Sequence, residues 1–179
     1  METYNNYSKI GEGRSGYVYR SGNIVKKIYT NEAERRMNRE YDSIKLLEKY
    51  INFPKILNID KENKFIYMNY VGVPLKSLDN KQIPLNITKQ IKYIIDCLNK
   101  EKIFHHDLSL NHLLVSDGVV HLIDFEKSCI DCCSHGIKRK KTNYTSNNYL
   151  MKIVIEYLVK RNFFSRYFFQ KYRILKSNP

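Results

Sequence analysis

The stretch 105–115, His105-His106-Asp107-Leu108-Ser109-Leu110-Asn111-His112-Leu113-Leu114-Val115, is followed by Ile123-Asp124-Phe125-Glu126. Between them the pattern reads as a hairpin: an apolar run ending at Val115, the turn Ser116-Asp117-Gly118, then Val119-Val120-His121-Leu122-Ile123. A hairpin places Asp107, before its first strand, and Asp124, after its second, near one edge. Asn111 and His112 stand four and five positions after the first acid. Two carboxylates brought together by a short sheet suggest a site. A loop capped by side-chain hydrogen bonds is the competing local reading.

The rest of the chain sets the context. Its 179 residues suffice for one domain or two small lobes around a cleft. Hydrophobic residues make up 42%, enough for a core, and 31 Lys+Arg against 18 Asp+Glu leave a net charge of +13. That excess favours anionic partners, including nucleotides, acidic proteins and nucleic acid, without choosing among them. The start, METYNNYSKI, has no apolar core of a signal peptide, and no run of about 18 apolar residues is present to span a membrane. A cytoplasmic protein with reduced Cys97, Cys129, Cys132 and Cys133 is the expectation.

Upstream of the hairpin, residues 7–29 read as strands interrupted by Gly11-Glu12-Gly13-Arg14-Ser15-Gly16 and by a three-residue turn, Ser21-Gly22-Asn23. Residues 31–50 carry Met37, Tyr41, Ile44 and Leu47 at helical spacing, with Glu40 on or beside that stripe. Residues 53–60 and 64–71 read as two further strands, and 84–102 as a second helix with a broad apolar face. Residues 149–160 are apolar almost all round, which predicts a buried helix. Residues 163–175 place Phe164, Tyr167, Phe168, Tyr172 and Leu175 at helical spacing.

Glycines 11, 13 and 16 allow backbone N–H groups to approach a polyphosphate, although a plain hairpin turn needs no ligand. The triplet leads into a strand rather than a helix, which argues against a dinucleotide-binding βαβ unit. In the following strand Ile24, Lys26 and Ile28 share one face. A lysine under the glycine loop needs an anion, and Glu40 can pair with it. Of Asp107 and Asp124, one carboxylate can orient an attacking hydroxyl while the other holds Mg²⁺ on a nucleotide, with Asn111 or His112 adding a metal or phosphate contact. The Cys129–His135 segment lacks the second ligand pair of a structural zinc site. Lys138-Arg139-Lys140-Lys141 is a solvated charge run or a clamp for an acidic or phosphorylated partner.

Glycine loop, strand lysine, helical glutamate, H-x-D loop, hairpin and DF occur in one order over roughly residues 8–126. This order resembles the protein-kinase-like superfamily, in particular small Rio- and Bud32-like atypical kinases and lipopolysaccharide-core kinases. The resemblance implies an α+β, two-lobed fold with an antiparallel-sheet N-lobe over 1–70 and a truncated helical C-lobe over 71–179. It implies ATP with Mg²⁺, or Mn²⁺, and a hydroxyl-bearing acceptor. It assigns Lys26 to the α/β-phosphates, Glu40 to its helix partner, Asp107 to the catalytic loop, and Asp124, with Asn111 or His112, to the metal. Gly11, Gly13, Gly16, Val18 and Ile24 would enclose the nucleotide. Met68 would be the gatekeeper, with the backbones of Asn69 and Val71 facing adenine. A protein serine or threonine is the preferred acceptor; a small-molecule or lipopolysaccharide sugar is the alternative within the enzyme class.

The departures are specific. His112 stands where the family places asparagine, His106 replaces the usual arginine, and Glu126 replaces the glycine of DFG. His112 and Glu126 favour a nucleotide-binding scaffold without catalysis; Lys26, Glu40, Asp107 and Asp124 favour an enzyme.

Overall fold

The computed structural model describes residues 6–30, 33–131 and 147–164. Strands β1 (Ser8–Gly13), β2 (Gly16–Ser21) and β3 (Ile24–Tyr29) form an antiparallel meander. Ser21 pairs with Ile24, so the β2–β3 connection is a two-residue turn, Gly22-Asn23, rather than the expected three. Gly22 takes φ 56°, a conformation glycine adopts without a Cβ penalty. Strands β4 (Ile56–Asp60) and β5 (Phe65–Asn69) complete the sheet in the order β1-β2-β3-β5-β4, antiparallel throughout.

Helix α1 (Glu34–Leu47) covers one face of this sheet. Glu34 in its first turn and Lys45 in its last complement the helix dipole. Its buried residues are Met37, Glu40, Ser43, Ile44 and Leu47, so the apolar stripe carries the glutamate inward with it.

The second half begins with the short strand β6 (Val73–Pro74) and helix α2 (Ile87–Lys100), whose buried side includes Ile87, Ile91, Ile94, Ile95 and Leu98. Strand β7 (Ile103–Phe104) precedes the His105–His112 loop, which ends in a 3₁₀ turn, Leu110–His112. The predicted hairpin is β8 (Leu113–Ser116) and β9 (Val119–Leu122), joined by Asp117-Gly118 with φ 50° and 76°, and β6 pairs along β8. Strand β10 (Cys129–Ile130) returns to pair with β7. Helix α3 (Tyr149–Lys160) buries Leu150, Val154 and Leu158 but leaves Ile155 and Val159 exposed, so it is buried on one face rather than all round.

One hydrophobic core runs through both halves, from Tyr29, Met37 and Ile66 to Leu98, Leu122, Phe125 and Leu158. The α+β class and the antiparallel sheet with one helix match the expectation. Cys129 is disulfide-bonded, against the expected reduced thiol, while Cys97 is a free, buried thiol. The basic run 138–141, Cys132, Cys133 and the aromatic positions beyond Phe164 lie outside the described residues. Among the described residues no helix is long and apolar enough to cross a membrane.

Candidate active site

Side chains directly opposite each other in an antiparallel pair share a face. Lys27 lies opposite Val18 on β2 and Ile66 on β5, and Val25 lies opposite Met68. This face, which also carries Tyr29, looks toward α1 and the Asp107–Asp124 hairpin. Lys26 lies on the other face, its ammonium over the Phe65 ring at 4.1 Å and the Tyr67 ring at 5.4 Å. The expected pairing of Lys26 with Glu40 is therefore replaced by one of Lys27 with Glu40. Ile24, on the Lys26 face, is 39% exposed, and Val25 takes the inward position expected of it. The physical reason is the sequence Ile24-Val25-Lys26-Lys27-Ile28-Tyr29: each alternating set holds two apolar residues and one lysine, so periodicity alone does not orient the strand.

Lys27 is the hub. Its Nζ donates to Glu40 Oε2 at 2.6 Å and Asp124 Oδ1 at 3.0 Å, and meets Glu126 Oε1 at 2.8 Å. Burial alone would lower the lysine's affinity for its proton. Glu40, Asp124 and Glu126 together outweigh that and hold it well above the ordinary lysine range. Burial raises Glu40 above the usual carboxylate range, with the Lys27 ammonium opposing. The Tyr29 hydroxyl also donates to Glu40 Oε2. For Asp124, burial pushes upward, but Lys27 and His112 prevail and leave it below the ordinary aspartate. The Glu40, Asp124 and Glu126 oxygens lie close enough together to suit a metal, but the Lys27 ammonium already bonds all three.

The glycine loop reaches the same hub. Ser15 is buried, its Oγ donates to Glu126 Oε2 at 2.5 Å, and Arg36 Nη1 donates to Ser15 Oγ at 2.5 Å. Of the three loop glycines only Gly16 is sterically required: its φ is 148° and a Cβ would lie 1.9 Å from the Ile28 carbonyl oxygen. A Cβ on Gly13 would meet nothing, and one on Gly11 would make ordinary contact with Val18. On the hinge side Met68 is buried opposite Val25, and Val71 is buried. The Asn69 N–H donates to Lys55 O at 3.2 Å and the Tyr70 N–H to Asn23 O at 2.8 Å.

The catalytic-type loop is pinned by its histidines. His105 is fully buried; the Asp107 N–H donates to its Nδ1 at 3.3 Å, which leaves Nε2–H to donate to Ile123 O at 3.0 Å. Burial lowers this imidazole to about 4, so it is neutral at pH 7 and ties the Asp107 loop to the residue before Asp124. His106 and Asp124 both adopt left-handed backbone, φ 60° and 68°, a region that His and Asp enter more often than most side chains. His112 Nδ1 lies 2.7 Å from Asp107 O, an N–H donating to a carbonyl, and its Nε2 lies 3.2 Å from Asp124 Oδ2. Asn111 is exposed, so of the two candidates it is His112 that faces Asp124.

Asp107, His112 and Asp124 present ligand atoms within 4.8 Å of one another. With Nδ1 directed at Asp107 O, Nε2 is the His112 atom that faces Asp124 and is open to a cation the two would share. Neighbouring ligands at about 2.1 Å from an octahedral ion sit about 3 Å apart, which the His112–Asp124 separation matches. The donor set therefore fits a divalent cation, with one nitrogen where a magnesium site ordinarily presents oxygen.

Residues 3–135 match the family model described as the RIO domain. The chain belongs to the RIO domain family. Its sheet, α1 and the Asp107–Asp124 hairpin form a protein-kinase-like fold, as the motif order implied. Among curated proteins, cyclin-dependent kinase-like 2 of Rattus norvegicus is 31% identical over 145 residues, covering 70% of this chain and 29% of the relative. A probable bifunctional tRNA threonylcarbamoyladenosine biosynthesis protein of Methanococcus vannielii is 31% identical over 124 residues, covering 68% and 22%. Cyclin-dependent kinase F-3 of Oryza sativa is 26% identical over 147 residues, covering 70% and 33%. The chain thus spans a third or less of the length of these relatives.

Proposed function

We propose that this RIO-family chain is an ATP- and divalent-cation-dependent phosphotransferase acting on a hydroxyl acceptor, with protein serine or threonine the preferred class. The observation that carries the reading is the convergence of Lys27, held by Glu40 and Asp124, with the Asp107–His112–Asp124 cluster through the shared Asp124. Lys27 would hold the α/β-phosphates, and Asp107 would accept the acceptor's proton. Asp124 and His112 would hold the cation, which when bound neutralises phosphate charge. Gly11, Gly13, Gly16, Val18, Val25 and Met68 would enclose the nucleotide, with the Asn69 and Val71 backbones at adenine. The run Lys138–Lys141 would receive an acidic or phosphorylated partner, and a cytoplasmic setting belongs to the same proposal.

A second reading, a nucleotide-binding scaffold, is favoured by Glu126, whose carboxylate lies 2.8 Å from Lys27, where a phosphate oxygen would bind. Incubation with labelled ATP, Mg²⁺ or Mn²⁺ and separate protein and glycolipid pools decides between them. An enzyme labels at least one pool, and Asp107→Asn abolishes the label while sparing Mg·ADP binding. Nucleotide binding with neither labelling nor ATP hydrolysis would establish the scaffold.

A further inference from the structure

The loop Asp107-Leu108-Ser109-Leu110-Asn111-His112 contains no lysine or arginine. Lys27, the buried cation of the cleft, is already engaged by three carboxylates. Charge developing on a phosphoryl group between Asp124 and an acceptor at Asp107 therefore meets no lysine or arginine from that loop on the acceptor side. Lys127 occupies that side: its Nζ donates to Asp107 Oδ2 at 2.9 Å.

An ion pair as exposed as this one ordinarily carries little weight, but its backbone is held. Residues 125–128 form a tight turn in which the Ser128 N–H donates to Phe125 O at 3.0 Å. Phe125 is fully buried against the His105 and Phe53 rings, with centroids 4.7 and 6.1 Å away. Ser128 is 1% exposed, and its Oγ lies 2.5 Å from Phe125 O and 2.7 Å from Ser43 Oγ. Anchored at both ends, the turn projects Glu126 toward Lys27 and the glycine loop, and Lys127 toward Asp107.

We infer that Lys127 is a catalytic residue whose ammonium contacts the terminal phosphoryl group during transfer, supplying from the turn after Asp124 the cation that the Asp107 loop lacks. This rests on the phosphotransferase reading. In the step, the bond from the terminal phosphorus to the bridging oxygen breaks and ADP leaves with its electron pair. The acceptor oxygen bonds to phosphorus, and its proton passes to the Asp107 carboxylate. Lys127 is neither consumed nor deprotonated.

The test needs no knowledge of the acceptor. Dissociation constants of Mg·ADP are measured with and without fluoroaluminate, a mimic of the transferring phosphoryl group, for the full chain, Lys127→Met and Lys127→Arg. In the wild type fluoroaluminate should tighten ADP binding. Lys127→Met should lose about 10- to 100-fold of that tightening, the range of one charged hydrogen bond, with Mg·ADP affinity unchanged within about twofold. Lys127→Arg should recover most of it. Unchanged tightening in Lys127→Met, or an equal loss for Mg·ADP alone, overturns the role of Lys127 and leaves the phosphotransferase reading standing. Wild-type binding of Mg·ADP without any tightening removes both the transfer step and the role. No Mg·ADP binding at all removes the nucleotide reading as well.

Discussion

Replacing Lys27 with methionine keeps most of the side-chain volume and removes the charge. Glu40 is 2% exposed and Glu126 13%, so their carboxylates lose the partner that offsets their burial. Breaking a buried charge pair by removing one member costs about 3–5 kcal/mol, a large share of the roughly 5–15 kcal/mol of a typical domain. The cost should depend on pH with a definite sign. Wild-type Asp124 has a lowered pKa, so its stabilising contribution is present above the ordinary aspartate range and lost as pH falls through the folded value. Without Lys27, Glu40 rises further and the folded variant takes up protons that the unfolded chain does not. Its deficit should therefore shrink as pH falls from 8 toward 5, at up to about 1.4 kcal/mol per pH unit for each such proton. Lys26→Ala removes the cation–π contacts with Phe65 and Tyr67, worth roughly 0.5–2 kcal/mol, on the face away from Glu40. It should leave Mg·ADP affinity within about twofold, whereas Lys27→Met should weaken it about tenfold or more. Urea unfolding at several pH values and calorimetric Mg·ADP titration measure both. A Lys26→Ala deficit equal to that of Lys27→Met, or one for Lys27→Met that is flat in pH, would refute the assignment of the strand face.

His105 is lowered to about 4 against 6.5 for a free imidazole, so the unfolded chain binds the extra proton between those values. Stability should fall as pH drops through that window, by about 3 kcal/mol from this group, and His105→Gln should flatten the limb. Gly16→Ala should cost roughly 2 kcal/mol or more and Gly13→Ala under about 1, measured by thermal melts, because only the first forces a Cβ into the Ile28 carbonyl. His112→Asn should shift the relative affinity for ADP from its Mn²⁺ toward its Mg²⁺ complex. It should also erase the nitrogen coupling in the pulsed EPR spectrum of bound Mn²⁺·ADP; persistence of the coupling would exclude His112 as a ligand.

How far the site was legible varied with the kind of signal. Glu40 was readable because its helical stripe has a single inward side, and Asp107 and Asp124 because the hairpin between them is strongly patterned. The strand lysine was not: in Ile24–Tyr29 both faces are equally apolar, and orientation comes from the β2 and β5 partners, Val18, Ile66 and Met68, which are long-range information. Asn111 and His112 differ by one step around a 3₁₀ turn, so only its orientation shows which meets Asp124. Glu126 stood out only as a departure from DFG, and no pattern singled out Lys127. Their opposite directions follow from a turn whose ends are fixed by Phe125 and Ser128, and that burial is invisible in a string of letters.

The tie between α1 and the hairpin bears on how such a protein could be switched. Ser43 on α1 bonds Ser128, Asn52 just beyond it donates to Val120 O at 2.6 Å and accepts from the Leu122 N–H at 3.0 Å, and Phe53 packs on Phe125. None of these contacts involves a nucleotide. Swinging α1 together with the Asn52–Phe53 segment that follows it away from the hairpin would break three hydrogen bonds at about 1 kcal/mol each, together with the aromatic contact and the Lys27–Glu40 pair. At 1.4 kcal/mol per factor of ten, the hydrogen bonds alone hold a displaced helix to under about one molecule in a hundred. Control by helix displacement would require an effector that binds the rare state several hundredfold more tightly. A chain built this way keeps α1 docked on the hairpin whether or not a nucleotide is bound, so helix docking is not the step that nucleotide has to supply.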